Sequence, residues 1–115
     1  MGFEVWDVIK VPFPYTNRPV QQRRPALVVG RHDEGGSPAL LWVLMITSAS
    51  HRRWVGDVKI DNLGMAGLPA ASIVRTAKIA TIEGQEAEQV GRLSASTCRT
   101  IRDQIAALLA PVLQG

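Results

Sequence analysis

The sequence predicts a mainly β chain that ends in one helix, its strands forming a small, strongly bent barrel. Three observations carry this. Ala26-Leu27-Val28-Val29, entered through Pro25, reads as a buried strand, and Leu40 to Ile46 is seven apolar residues without a gap, as expected of a central strand covered on both sides. From Cys98 the period changes: Cys98, Ile101, Ile105, Leu108, Leu109 and Val112 recur at steps of three and four, the apolar stripe of an amphipathic helix.

Taken in order, Asp7 to Phe13 is apolar and β-branched and forms the first strand, with Pro12 marking its end or an edge. Pro14 to Gln22 is polar and broken by proline, a long loop that returns the chain to Arg23-Arg24-Pro25. Asp33 to Pro38 is a turn before the central strand. Thr47 to Trp54 is a second polar, basic loop leading to a short strand, Asp57 to Ile60. Asp61 to Pro69 is a loop punctuated by glycine and proline, followed by strands over Ser72 to Thr76 and Ile79 to Glu83. Ser94 is a suitable N-cap for the final helix, Leu93 staples onto Cys98, and Pro111 marks the helix end.

At 115 residues the chain makes one domain, residues 1–115, with its own core. It has no apolar run long enough to span a membrane, and Met1 to Glu4 lacks the basic and apolar sections of a signal peptide, so a cytoplasmic protein is expected. One cysteine allows no internal disulfide, and with only His32 and His51 beside it a structural zinc site is not expected. Cys98 is read as a small core residue. Net charge is +3 but uneven: Arg18, Arg23, Arg24, Arg31, Arg52 and Arg53 face only Asp33 and Glu34 between residues 18 and 53, which suits an anionic partner.

Two stretches carry candidate chemistry. In Arg23-Arg24-Pro25, Pro25 restricts the residue before it to extended backbone, so Arg24 leaves a strand mouth in a limited range of directions. A guanidinium held there matches phosphate oxygens two at a time; the plainer alternative is a surface pair capping a strand. In Thr47-Ser48-Ala49-Ser50-His51-Arg52-Arg53-Trp54, cations beside an indole hold a phosphate and stack a base; alternatively the segment is a hairpin connection with Trp54 folded onto the core.

The blocks Val11-Pro12-Phe13-Pro14-Tyr15-Thr16, Arg23 to Val29, Ile46-Thr47-Ser48 and Gly67-Leu68-Pro69-Ala70-Ala71-Ser72-Ile73-Val74-Arg75 resemble, in order and spacing, those of the MazF/PemK toxin family. The resemblance runs from about Phe3 to Leu109. It implies an SH3-like small β-barrel of the CcdB/Kid/MazF plasmid-maintenance toxin type, a homodimer that cleaves single-stranded RNA without metal or cofactor and is silenced by a cognate, MazE-like antitoxin. Matched residue by residue, Arg24 takes the place of the family's catalytic arginine and Thr47 that of its catalytic threonine or serine. His51 and Arg75 are auxiliary candidates, and Thr16, Asn17, Arg18, Arg23, Ser48, Arg52, Arg53 and Trp54 are candidate RNA contacts.

The chain departs from the family pattern at three positions. Trp6 stands where the family usually has glycine, Ala77 where some members carry a carboxylate, and Ala80 where an arginine is usual. The proton acceptor is then His51, Asp7 or water. Two rival functions share the barrel: a toxin that binds a protein without catalysis, as CcdB toxins do, and a basic RNA-binding module that leaves RNA whole.

Overall fold

The structure, a computed structural model, describes residues 2–13, 22–33 and 39–115. Among them, six strands form one antiparallel sheet: β1 (Asp7–Phe13), β2 (Gln22–His32), β3 (Leu40–Ser48), β4 (Asp57–Lys59), β5 (Ser72–Glu83) and β6 (Glu88–Arg92), in the spatial order β4-β5-β3-β2-β1-β6. Two helices, α1 (Leu63–Ala66) and α2 (Ala95–Gln114), and a 3₁₀ turn over Gly84–Glu86 complete it.

The sheet is bent rather than flat because its ladders carry bulges. Val28 pairs with Val43 but Gly30 with Trp42, and between Leu44↔Ile79 and Ile46↔Val74 five steps along β5 answer two along β3. A bulge adds local twist and shifts which face the next side chain meets. Val74 accordingly packs with Leu44, Ile46 and Leu27 in one core, whereas Ala80 and Ile82 of the same strand join Ile9, Val11, Val43 and Met45 in the other. Since β5 and β1 are three places apart in the sheet, their meeting in one cluster means that the sheet curls over on itself into the expected barrel-like form. The two strands expected over 72–76 and 79–83 are one strand, and the break between them is this bulge.

Helix α2 begins as its sequence requires. Ser94 accepts a hydrogen bond from the Thr97 amide at 3.3 Å, and Leu93 and Cys98 lie against the first core with Ile101 and Ile105. Burial pushes the Cys98 thiol up, in keeping with a core residue. The Ser94 hydroxyl also donates to Asp61 at 2.7 Å, and Ser96 and Thr97 bond the same carboxylate, so one acidic group ties the helix start to the chain after β4. These hydroxyls hold the Asp61 carboxyl below its ordinary range, Ser94 contributing most.

Three expectations are corrected. Pro111 lies inside α2 rather than at its end: a proline there costs one hydrogen bond of the final turns, and Gly115 N still reaches the Pro111 carbonyl at 3.2 Å. The loop over 61–69 contains α1, capped by the Asn62 side chain and by Gly67 in the left-handed region at φ +72°, where a Cβ would meet the Val90 carbonyl 2.0 Å away. The 3₁₀ turn over Gly84–Glu86 leads into β6, which no expectation covered because this edge strand is too polar to show an apolar alternation. Finally, β3 is not covered on both sides along its whole length. Trp42 is 55% exposed and Leu40 is exposed too, because α2 lies against β4 and β5 and leaves that part of the sheet open. The same is true of the helix stripe, whose later members Leu108, Leu109 and Val112 reach past the sheet into solvent. No helix among the described residues is long and apolar enough to cross a membrane.

Candidate active site

Strand pairing brings the separate basic and hydroxyl blocks together. β2 and β3 are neighbours, as are β3 and β5, so the start of β2, the end of β3 and the start of β5 share one end of the sheet. There an open cleft of 280 Å³ is lined by Arg23, Arg24 and Pro25 from β2, Ile46, Thr47 and Ser48 from β3, His51 from the following loop, and Leu68 to Ser72 leading into β5. Lys10 of β1 completes it. This lysine was missed in the sequence, where the one signal is that it is the only cation in a mostly apolar strand.

Within the cleft the side chains divide by role. Arg24 is half-buried, opposite Val11 in the ladder, with Pro25 behind it. Arg23 is exposed; it donates to the Lys10 carbonyl at 3.2 Å and pairs with Glu88 at 3.4 Å. Thr47 Oγ1 and His51 Nδ1 share a hydrogen bond of 2.5 Å, made possible because the chain turns back after β3, His51 N donating to the Ser48 carbonyl. Ser48 and Ser50 pair their hydroxyls at 2.8 Å beside them. A hydroxyl bonded to an imidazole, in the same cleft as a permanent cation, can move a proton where negative charge develops.

Other sequence candidates lie elsewhere. Asp7 is buried, accepting from Glu4 N and Gln89 Nε2 and pairing with Arg92 at 3.4 Å, and does not line the cleft. Arg75 does not line it either: it is buried beneath the loop over 49–56, paired with Asp57. Arg52, Arg53 and Trp54 stand exposed on that loop, beyond His51. Trp54 therefore does not fold into the core. Thr16, Asn17 and Arg18 lie outside the described residues. Among the described residues, no three His, Cys, Asp or Glu side chains gather as a metal site would require. Trp6, the departure from the family's usual glycine, has φ +81°, backbone that favours glycine.

Residues 4–109 match the family model of the PemK-like, MazF-like toxin of type II toxin-antitoxin systems. Among solved structures, a MazE-MazF crystal structure from Deinococcus radiodurans superposes with a TM-score of 0.67 at 20% identity, over 95% of this chain and 96% of that one. The Mycobacterium tuberculosis toxin MazF-mt6 gives 0.66 at 22% identity, over 88% and 93%. An endoribonuclease in complex with its cognate antitoxin from a mycobacterial species gives 0.68 at 18%, over 92% and 93%. No curated protein matches the chain by sequence. A family match over nearly the whole chain, with the same fold in these structures, places it: the chain belongs to the PemK-like, MazF-like toxins of type II toxin-antitoxin systems.

Proposed function

We propose that this chain is a metal-independent endoribonuclease that cuts single-stranded RNA, and the toxin of a pair silenced by a MazE-like antitoxin. The observation that carries the reading is the convergence of Arg24 with the Thr47–His51 pair in one cleft. The ribose 2′-oxygen attacks the adjacent phosphorus, the bond to the 5′-oxygen breaks, and a 2′,3′-cyclic phosphate and a free 5′-hydroxyl result. The 2′-proton passes to His51, directly or through the Thr47 hydroxyl, and a proton from the imidazolium or water reaches the leaving oxygen. Arg24 neutralises the phosphorane, a contribution of about a hundred- to a thousandfold. Arg23 and Lys10 hold flanking phosphates, as do Arg52 and Arg53 on the loop over 49–56 and Arg18 in the stretch that its sequence marks as a loop.

An acidic, partly disordered antitoxin segment covers the same loops and competes with RNA for the same charges. The active form is a homodimer whose basic loops line one groove, which the uncovered apolar end of α2 supports. The deciding experiment incubates purified protein with end-labelled RNA in chelator. Cleavage that leaves cyclic phosphate ends is the expected result; intact RNA bound in a salt-dependent manner overturns the reading in favour of a binding module.

A further inference from the structure

The loop over 49–56 is built to hold one indole still. Beneath it lies Arg75, a residue only 9% exposed. It donates to the Arg52 carbonyl, its Nε lies 3.6 Å from Asp57 Oδ1, and its guanidinium carbon lies 4.3 Å from the centroid of the Trp54 ring. The other Asp57 oxygen accepts from the Trp54 amide at 2.8 Å, so one buried carboxylate orients both the cation and the residue stacked on it. The next residue of β5, Thr76, donates to the Gly56 carbonyl at 2.8 Å. Gly56 allows that approach, since at φ +90° its backbone favours glycine and a Cβ there would meet the Thr76 oxygen at 2.6 Å.

This arrangement leaves Trp54 outside both cores. With one ring face covered by the cation, 40% of the residue is still open to solvent. The ring is held in place while one part of it stays open, an arrangement that suits contact with a second flat group. The neighbours Arg52 and Arg53 are exposed and make no ion pair among the described residues. Cations flanking a rigid, half-open indole are the elements of a stacking site for a nucleobase and its phosphate.

We infer that Trp54 is a base-stacking platform, a nucleotide subsite outside the cleavage cleft, with Arg75 and Asp57 as its positioning residues. The inference rests on the RNA reading above. Because His51 lines the cleft and Trp54 follows it by three residues, a base stacked on the indole also fixes which phosphate of the strand reaches Arg24. Stacking is tolerant of base identity, so the subsite requires an unpaired base of any kind.

The test is an abasic scan. A single-stranded oligonucleotide made non-cleavable by 2′-O-methyl sugars is prepared with one base removed at each position in turn, and its binding to the full-length protein is measured. In the wild type one position should carry a penalty of roughly five- to a hundredfold. In Trp54→Ala that penalty should vanish, and in Trp54→Phe it should partly return. Arg75→Lys should reduce it, with the loss in cleavage of ordinary RNA falling mainly on the half-saturating concentration; should this variant fail to fold, the Trp54 series decides alone. If the wild type cleaves RNA but Trp54→Ala leaves the abasic profile unchanged, this inference falls and the nuclease reading stands. If nothing is cleaved yet the Trp54-dependent position persists, the inference stands and the nuclease reading falls. A protein that binds no RNA overturns both.

Discussion

Thr47 Oγ1 and His51 Nδ1 lie 2.5 Å apart at the end of β3, and the contact makes the threonine and the imidazole one unit. If that unit moves the 2′-proton, His51→Ala should lower single-turnover cleavage by about a hundred- to ten-thousandfold. Thr47→Val, which keeps the shape and removes the hydroxyl, should lower cleavage while leaving RNA binding in place. Normal cleavage by His51→Ala would move the proton acceptor to water.

Arg24 and Arg23 should separate chemistry from binding. Arg24→Ala should keep its fold, within about 1 kcal/mol by thermal melting, and lose at least about a hundredfold in cleavage at saturating protein. Arg23 is exposed and paired with Glu88, so Arg23→Ala should chiefly weaken binding, in a manner that high salt imitates. If Arg24→Ala cleaves at the wild-type rate and Arg23→Ala does not, the roles of the two are exchanged.

Trp6 should reverse an ordinary order of stabilities. Its φ of +81° is strained for any residue with a Cβ, while its ring packs on the first core. Both Trp6→Ala and Trp6→Gly lose that packing, but only glycine also releases the strain. Denaturant unfolding should find the glycine variant more stable than the alanine variant by about 1 kcal/mol. An alanine variant of equal or greater stability would show that this backbone relaxes once the ring is gone.

Asp61 predicts an acid-side dependence. Its folded-state carboxyl is held below the ordinary value by the Ser94, Thr97 and Ser96 hydroxyls, so its contribution is present above the ordinary carboxylate pKa and is lost as pH falls through the lower folded value. Asp61→Asn should therefore be less stable at neutral pH, and the gap to the wild type should narrow as pH falls below the ordinary carboxylate range. A gap that stays constant with pH would mean that geometry rather than charge holds the start of α2.

The exposed end of α2 should be where two copies meet. Light scattering should find twice the chain mass of 12.5 kDa, and Val112→Asp, at a position 75% exposed, should give a folded monomer. A wild-type monomer at micromolar concentration removes the dimer; a dimeric Val112→Asp places its interface elsewhere.

Local features could be read directly from the residues. β1 spans Asp7–Phe13, the stretch its composition marks, and Ser94 caps α2 through the Thr97 amide, because alternation and capping are decided by neighbours within a few positions. The blocks around Arg24 and Thr47 were legible as chemistry for the same reason: Pro25 and the polar ending of an apolar run are both local signals. Tertiary structure decided the rest, through contacts between residues far apart in sequence. It alone placed Arg24, Thr47 and the Leu68–Ser72 segment around one cleft, since that depends on β2 and β5 flanking β3. It alone moved Arg75 from an auxiliary candidate of the site to a buried position beneath Trp54, because the Asp57 partner and the phase shift in β5 are products of pairing. And it alone left Trp42 and Val112 uncovered, for an apolar period says which residues share a face but not whether anything lies against it.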